Sequence, residues 1–227
     1  YSLGMNKKNK ILVFGASGHA KVIIDVIEKE DKYEIMGLID PHKDEGEEIL
    51  GYKILGKGED LPNLLRITDI SGGIIAIGDN WVRKKVKEEI EKNIPDFEFV
   101  SCIHPSAQIG KNVSMGQGTA VLPGAIINSS CELGSHCILN TNSSLDHDSR
   151  IDDYVSLAPN STTGSNVVIG KCSAISLGAN IIQNVKIGKH CVVGASSLVL
   201  TDIEDHSLCY GVPAKTIRKR ESGEKYL

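Results

Sequence analysis

The run Asn140-Thr141-Asn142-Ser143-Ser144-Leu145-Asp146-His147-Asp148 holds the clearest chemistry in the sequence. A His between two carboxylates is suited to general-base work, because an adjacent acid fixes the tautomer and stabilises the imidazolium formed on proton uptake. Taken alone, such a triplet is more often a solvated surface pair. The element that carries it decides between the two readings.

That element is periodic. Positions 103, 109, 115 and every sixth residue through 199 are aliphatic or Met at sixteen of seventeen places, with Thr163 the single polar one. Glycine often follows (Gly110, Gly116, Gly134, Gly170, Gly188, Gly194), and a small residue or Val takes the fourth place after the aliphatic one (Ala107, Val113, Thr119, Ala125, Cys131, Cys137). This is a hexapeptide repeat: six residues make a short strand and a turn, three repeats make a triangular coil, and the aliphatic residues stack inside the prism. Residues 18 apart then lie about 4.8 Å above one another. Asp146, His147 and Asp148 fall at a corner, Thr163 stands over Leu145, and Ser165 stands over His147. A run that breaks the packing rule directly above a candidate base points to function, and backbone N–H groups near Gly164 are expected to polarise a thioester carbonyl. Cys131, Cys137 and Cys191 occupy the small-residue phase and read as core filler.

Residues 10 to 100 follow a different rule. Lys10 to Phe14 is an apolar strand, Gly15-Ala16-Ser17-Gly18 a tight turn, and His19 to Glu30 a helix with Ala20, Ile23, Ile24 and Ile27 on one face. Tyr33 to Asp40 and Gly73 to Gly78 read as further strands, Asn80 to Lys92 as a charged helix, and Phe97 to Val100 closes the unit. Alternating β and α predicts a Rossmann-like parallel sheet covered by helices. The expected organisation is therefore an α/β domain over 5–100, a left-handed parallel β-helix over 101–215 and a tail over 216–227. Tyr1 to Gly4 read as the remnant of an expression tag before Met5.

Composition narrows the function classes. The net charge of −4 lacks the basic excess of a nucleic-acid binder. No apolar run approaches the roughly 18 residues needed to cross a bilayer. Six cysteines without CxxC spacing are expected to be reduced thiols, which places the chain in the cytoplasm. Aromatics are only 4%, as a fold of narrow Val, Ile, Ala and Ser layers would have.

The Gly15-Ala16-Ser17-Gly18-His19-Ala20 turn, the hexapeptide array, the Asn140 to Asp148 segment and the ending Tyr210-Gly211-Val212-Pro213-Ala214-Lys215 together resemble the sialic acid O-acetyltransferase type of hexapeptide sugar acetyltransferases. Within it the chain is most similar to the N-acetyltransferases that act on the 4-amino group of UDP-4-amino-4,6-dideoxy-N-acetylglucosamine, on the route to bacillosamine. The resemblance implies His147 as the base with Asp148 orienting it, and Asn140 near the substrate. It implies a UDP site formed by Ser17, Gly18, His19, Asp40, Pro41 and Gly78. It implies acetyl-CoA as cosubstrate, along a groove touching Ser156, Gly164, Ser165, Leu177, Ala195 and Lys215, with Arg218, Lys219 and Arg220 near its phosphates. A homotrimer is expected. Ser156 stands where the family often has a second His. Because only Gly15 and Gly18 of a G-x-G-x-x-G pattern are present, NAD is not expected; a helix N-terminus after a strand still suits a diphosphate.

Three competing functions are weighed. A zinc carbonic anhydrase of β-helix type needs three His around one ion, yet His136 and His190 lie three coils apart in the repeat and His147 is at another corner, so no metal is expected. A nucleotide-sugar-binding scaffold leaves the His-Asp corner without purpose. Transfer to a hydroxyl, as on sialic acid, remains open beside transfer to an amine.

Overall fold

The computed structural model describes residues 8–226, so the supposed tag and Met5 lie outside the described residues. The first domain is a five-stranded sheet in the order β3-β4-β2-β1-β5, made of β1 (Asn9–Phe14), β2 (Tyr33–Ile39), β3 (Glu48–Ile49), β4 (Tyr52–Gly56) and β5 (Ile70–Ile75). Strands β1, β2, β4 and β5 run parallel, while β3 forms an antiparallel ribbon with β4. Helix α1 (Gly18–Glu30) buries Ala20, Ile23, Ile24, Val26 and Ile27, the stripe legible in the sequence plus Val26, and it ends at Asp31 in the left-handed region. Helices α2 (Leu61–Ile67) and α3 (Asn80–Asn93) cover the opposite face, where Leu61 and Ile90 pack with Leu12, Phe14, Ile39 and Ile75. The β3–β4 ribbon and α2 have weak sequence signals and are additions to the expected pattern.

Strand β1 has β2 on one side and β5 on the other. In open parallel sheets a reversal of this kind leaves a crevice outside the carboxyl ends of the strands. Those ends carry Gly15, Asp40 and the Ala76 to Gly78 stretch. Gly15 takes φ +109, and a Cβ there would stand 2.9 Å from the Ala76 carbonyl oxygen, so the turn requires glycine.

The β-helix has seventeen two-residue strands, β6 (Cys102–Ile103) to β22 (Leu198–Val199), sorted onto three faces. Register is 18 residues, as in Ile127 opposite Leu145. At every sixth residue from Asn112 to Ser196 a corner has positive φ, taken by Gly or most often by Asn among the rest. Asn and Asp tolerate this conformation, and Asp148 occupies one such corner at φ 57. The interior stacks Val, Ile, Leu, Ala and Cys, including Cys131, Cys137 and Cys191, with no aromatic ring among its buried residues.

The two domains share packing. Ala20, Ile23 and Ile24 of α1 join Val100, Cys102, Ala120, Leu122 and Ile138 of the β-helix wall in one cluster. At the other end, β23 (Ser207–Gly211) continues a face of the prism and pairs antiparallel with β24 (Ala214–Lys219). The boundary expected at 215/216 therefore falls inside a strand, and the segment read as a tail returns to the first domain: Tyr226 accepts a hydrogen bond from the Asn80 N–H at 3.0 Å.

Candidate active site

The residues singled out in the sequence separate into three places. The first is a cavity of about 300 Å³ at the ends of β1 and β2, lined by Gly15, Ala16, Ser17, Asp40 and Pro41 on one side and by α3 on the other. Both Asp40 oxygens are committed, accepting from the Ala16 N–H and the His42 N–H at 2.8 Å each, so Asp40 shapes the turn. Ser17 precedes α1 without capping it through its side chain. Its hydroxyl stays available at a helix N-terminus, where an anion is favoured.

The second place is a cavity of about 410 Å³ between the domains, lined by His19, Gly78, Asn140, Ser156, Leu177 and Tyr226 among others. His19 Nε2 is buried without a hydrogen-bond partner. Burial, with the Arg83 charge second, pushes its pKa down to about 4, so the imidazole is neutral at physiological pH and faces the cavity bare.

Arg83 lies behind this cavity, bonded to Gly78 of its lining. It is 1% exposed, and all its hydrogen-bond acceptors are neutral: the carbonyls of His136, Ile77, Gly78 and Tyr154 and the Asn80 side chain, at 2.7 to 3.3 Å. It thus ties the end of β5 to two corners of the prism. Asn80 completes the staple by donating to the Ser173 carbonyl at 3.0 Å. Tyr226 closes one wall, with Ser156 also in the lining. Arg83 and Tyr226 were not anticipated, since one sits in a uniformly charged helix and the other in an apparent tail. The Gly78-Asp79-Asn80 punctuation before α3 was the only available signal.

The third place is the corner between β13 (Ser144–Leu145) and β14 (Arg150–Ile151). His147 Nδ1 lies 2.6 Å from Asp148 Oδ2, and the His147 side chain is 53% exposed. The Asp148 hydrogen bond raises the His147 pKa above its ordinary value. Asp146 faces the other way, accepting from Asn128 Nδ2 at 2.7 Å and from the His147 N–H at 2.9 Å. The ladder changes here: the rung that would join the Asp146 N–H to the next coil's carbonyl goes instead to the Thr163 hydroxyl at 3.1 Å. Thr163 is buried, and only Ser144 and Thr162 pair in β-register at this level. The polar residue in the aliphatic phase therefore anchors the turn that presents His147.

Several expected cofactor contacts sit differently. The Gly164 N–H itself is spent on the Ile181 carbonyl at 2.7 Å, so of the backbone donors expected near Gly164 this one is not free for a thioester. Ser165 is half-buried above His147, and Ala195 is exposed near Leu177, whose carbonyl accepts from the Ser196 N–H at 2.8 Å. Arg218 is held by Glu224 at 3.1 Å, Lys219 by Glu204 at 3.0 Å, and Arg220 reaches the His190 carbonyl at 3.2 Å, which leaves Lys215 as the cation of that group without a partner among the described residues. The histidines weighed as zinc ligands have separate settings: His136 is buried between Phe99 and Tyr154, and His190 stacks on His206 at 5.0 Å.

Residues 10–90 match the PglD N-terminal domain. The whole chain superposes on a mutant perosamine N-acetyltransferase from Caulobacter crescentus, in complex with CoA and GDP-perosamine, with a TM-score of 0.87 and 32% identity, covering 93% of this chain and 98% of that one. The acetyltransferase domain of PglB from Neisseria gonorrhoeae, in complex with acetyl coenzyme A, matches with a TM-score of 0.83 and 26% identity, covering 93% and 100%. UDP-N-acetylbacillosamine N-acetyltransferase from Bacillus subtilis is 32% identical over 114 residues, 49% of this chain and 50% of that protein. Against serine acetyltransferases the chain spans less than half of the relative, 43% of the Buchnera aphidicola protein.

Proposed function

From the premise that this chain belongs to the acetyl-CoA-dependent sugar N-acetyltransferases, we propose that it transfers an acetyl group from acetyl-CoA to the amine of a nucleotide-linked amino-dideoxy sugar. The His147–Asp148 pair on its Thr163-anchored corner carries this reading. The Nδ1–H donates to Asp148, which leaves Nε2 as proton acceptor. The amine nitrogen bonds to the thioester carbonyl carbon while its proton passes to Nε2. The carbon–sulfur bond then breaks, and CoA leaves as the thiol with the proton returned by the imidazolium. The sequence resemblance points to a 4-amino sugar carried on UDP.

In this reading one site is assembled from two chains of a homotrimer. His147 lines neither cavity of its own chain, whereas His19, Asn140 and Ser156 share one. An exposed corner of one prism presented to the inter-domain cavity of its neighbour would unite them. The direct test is incubation with acetyl-CoA and a panel of UDP-amino sugars, GDP-perosamine and CMP-sialic acid, with products identified by mass spectrometry. An acetylated amino sugar is expected, and acetylation only of hydroxyls would overturn the N-transfer. Refolding a mixture of His19→Ala and His147→Ala chains tests the shared site: activity should return in verified mixed trimers, and silent mixed trimers would place both residues in one chain.

A further inference from the structure

The 300 Å³ cavity has a far end that the sequence reading did not reach. Beyond the Gly15 to Ser17 turn, its lining is largely apolar, with Phe14 and Ile39 from the sheet and Val86 and Ile90 from α3. Against these walls stand two polar side chains of the same helix face, Glu89 and Asn93. They are four residues apart, which brings their Cβ atoms to about 6 Å on one side of a helix. Neither makes a hydrogen bond or ion pair among the described residues. Both side chains are exposed at the mouth of the cavity and free to meet a ligand. Lys85 is four residues before Glu89, within reach of an ion pair, yet it is bound to Glu88 at 3.1 Å, while Lys84 also takes Glu88 and Lys87 takes Glu91. The Glu89 carboxylate instead points toward Gly58, with one oxygen 3.8 Å from where a Cβ on that residue would stand.

A carboxylate offers acceptors only, whereas an amide offers both a donor pair and an acceptor. A slot with apolar walls and these two groups at its rim is complementary to a ring whose edge presents two adjacent donors next to an acceptor. Guanine has that edge, with N1–H and the N2 amino group beside O6. Uracil presents a single donor between two carbonyl oxygens, and each carbonyl would face the carboxylate unfavourably. Adenine and cytosine each present one amino group beside a bare ring nitrogen. We propose that this slot reads guanine, with Glu89 accepting from N1–H and N2–H and Asn93 donating to O6, so that the carrier of the amino sugar is GDP and not UDP. The assignment rests on the proposed function only in taking the cavity as the nucleotide site, and it replaces the expectation of UDP. It places the diphosphate at the start of α1 and the sugar toward the inter-domain cavity that holds His19.

Calorimetry with GDP and UDP on the full chain tests this without any sugar substrate. GDP is expected to bind at least about 10-fold more tightly than UDP, since charge-assisted hydrogen bonds in a partly closed site carry about 10- to 100-fold each. In Glu89→Gln, GDP affinity should fall by about 10-fold or more while UDP stays within about threefold. Asn93→Ala should weaken GDP by a smaller factor. Equal or tighter UDP binding by the wild type overturns the proposal. So does a Glu89→Gln variant that loses GDP and UDP in equal measure, which would put the carboxylate on the ribose, or one that leaves the ratio unchanged. If neither nucleotide binds at millimolar concentration, the cavity is not a nucleotide site and the proposal falls with it. Selective GDP binding without acetyl transfer would keep the base assignment and remove the proposed reaction; transfer confined to UDP-sugars would do the reverse.

Discussion

Two histidines, His147 on the corner and His19 in the inter-domain cavity, show how one side chain is given opposite properties by its surroundings. His147 is exposed and paired with Asp148, and its pKa is raised. His19 is half-buried, with Nε2 enclosed and unpaired and the Arg83 charge nearby, and its pKa is pushed down to about 4. The first is arranged to take up a proton in a reaction and give it back. The second is arranged never to take one up at neutral pH, which suits a group that hydrogen-bonds a ligand without changing charge. Position in the fold makes the difference: one lies where the prism turns a corner into solvent, the other where two domains close on each other.

The largest effect expected from this contrast is on turnover. His147→Ala should lower kcat by about 10²- to 10⁴-fold with acetyl-CoA binding retained, the usual contribution of a general base. Near-normal turnover in a folded variant would remove His147 from the chemistry.

Acid stability separates the two histidines next. A group whose pKa is depressed in the fold contributes stability that is present above its unfolded value near 6.5 and is lost as pH falls toward the folded value. His19 and His136, both lowered to about 4 by burial first, therefore cost about 3 kcal/mol each as the pH drops from 6.5 to 4. Urea midpoints measured across that range should fall steeply, and less steeply in His19→Gln. A flat profile would mean that His19 is not buried as described.

Substrate affinity comes third. His19→Ala should raise the KM for the nucleotide sugar by about 10-fold, the value of one lost ligand hydrogen bond in a closed site, and leave the KM for acetyl-CoA within a few-fold. That KM for the sugar should also show no titration between pH 5.5 and 8 in the wild type, because His19 is already neutral there.

The smallest effect expected is a shift in pH dependence. Since Asp148 raises the His147 pKa, the acid limb of kcat/KM should lie above pH 6.5. Asp148→Asn should move that limb to lower pH while reducing the plateau by about 10-fold, because the amide holds the ring less firmly and stabilises the imidazolium less. An unmoved limb would show that the group titrating in the profile is not His147.

The prism and the His147 corner were determined by the sequence alone. Its order is a six-residue period in which each residue's neighbours are set by counting, so Leu145, Thr163 and His147 could be placed before any coordinates. Even Thr163 was legible as a broken rule, although its job of holding the Asp146 N–H was not. The strand-turn-helix around Gly15 was readable for the same reason, through local spacing and a residue that only glycine satisfies.

Tertiary structure decided what lies between the elements. Arg83 meets His136 across 53 residues of chain, Asn80 meets Tyr226 across 146, and neither pairing follows a period. The same holds for the spent Gly164 N–H and for Arg218 and Arg220, whose types were legible but whose partners, Glu224 and the His190 carbonyl, were not. A residue's type states what it can bind; whether a hydrogen bond is left over for a ligand depends on every other group that reaches it, and only the folded arrangement settles that account.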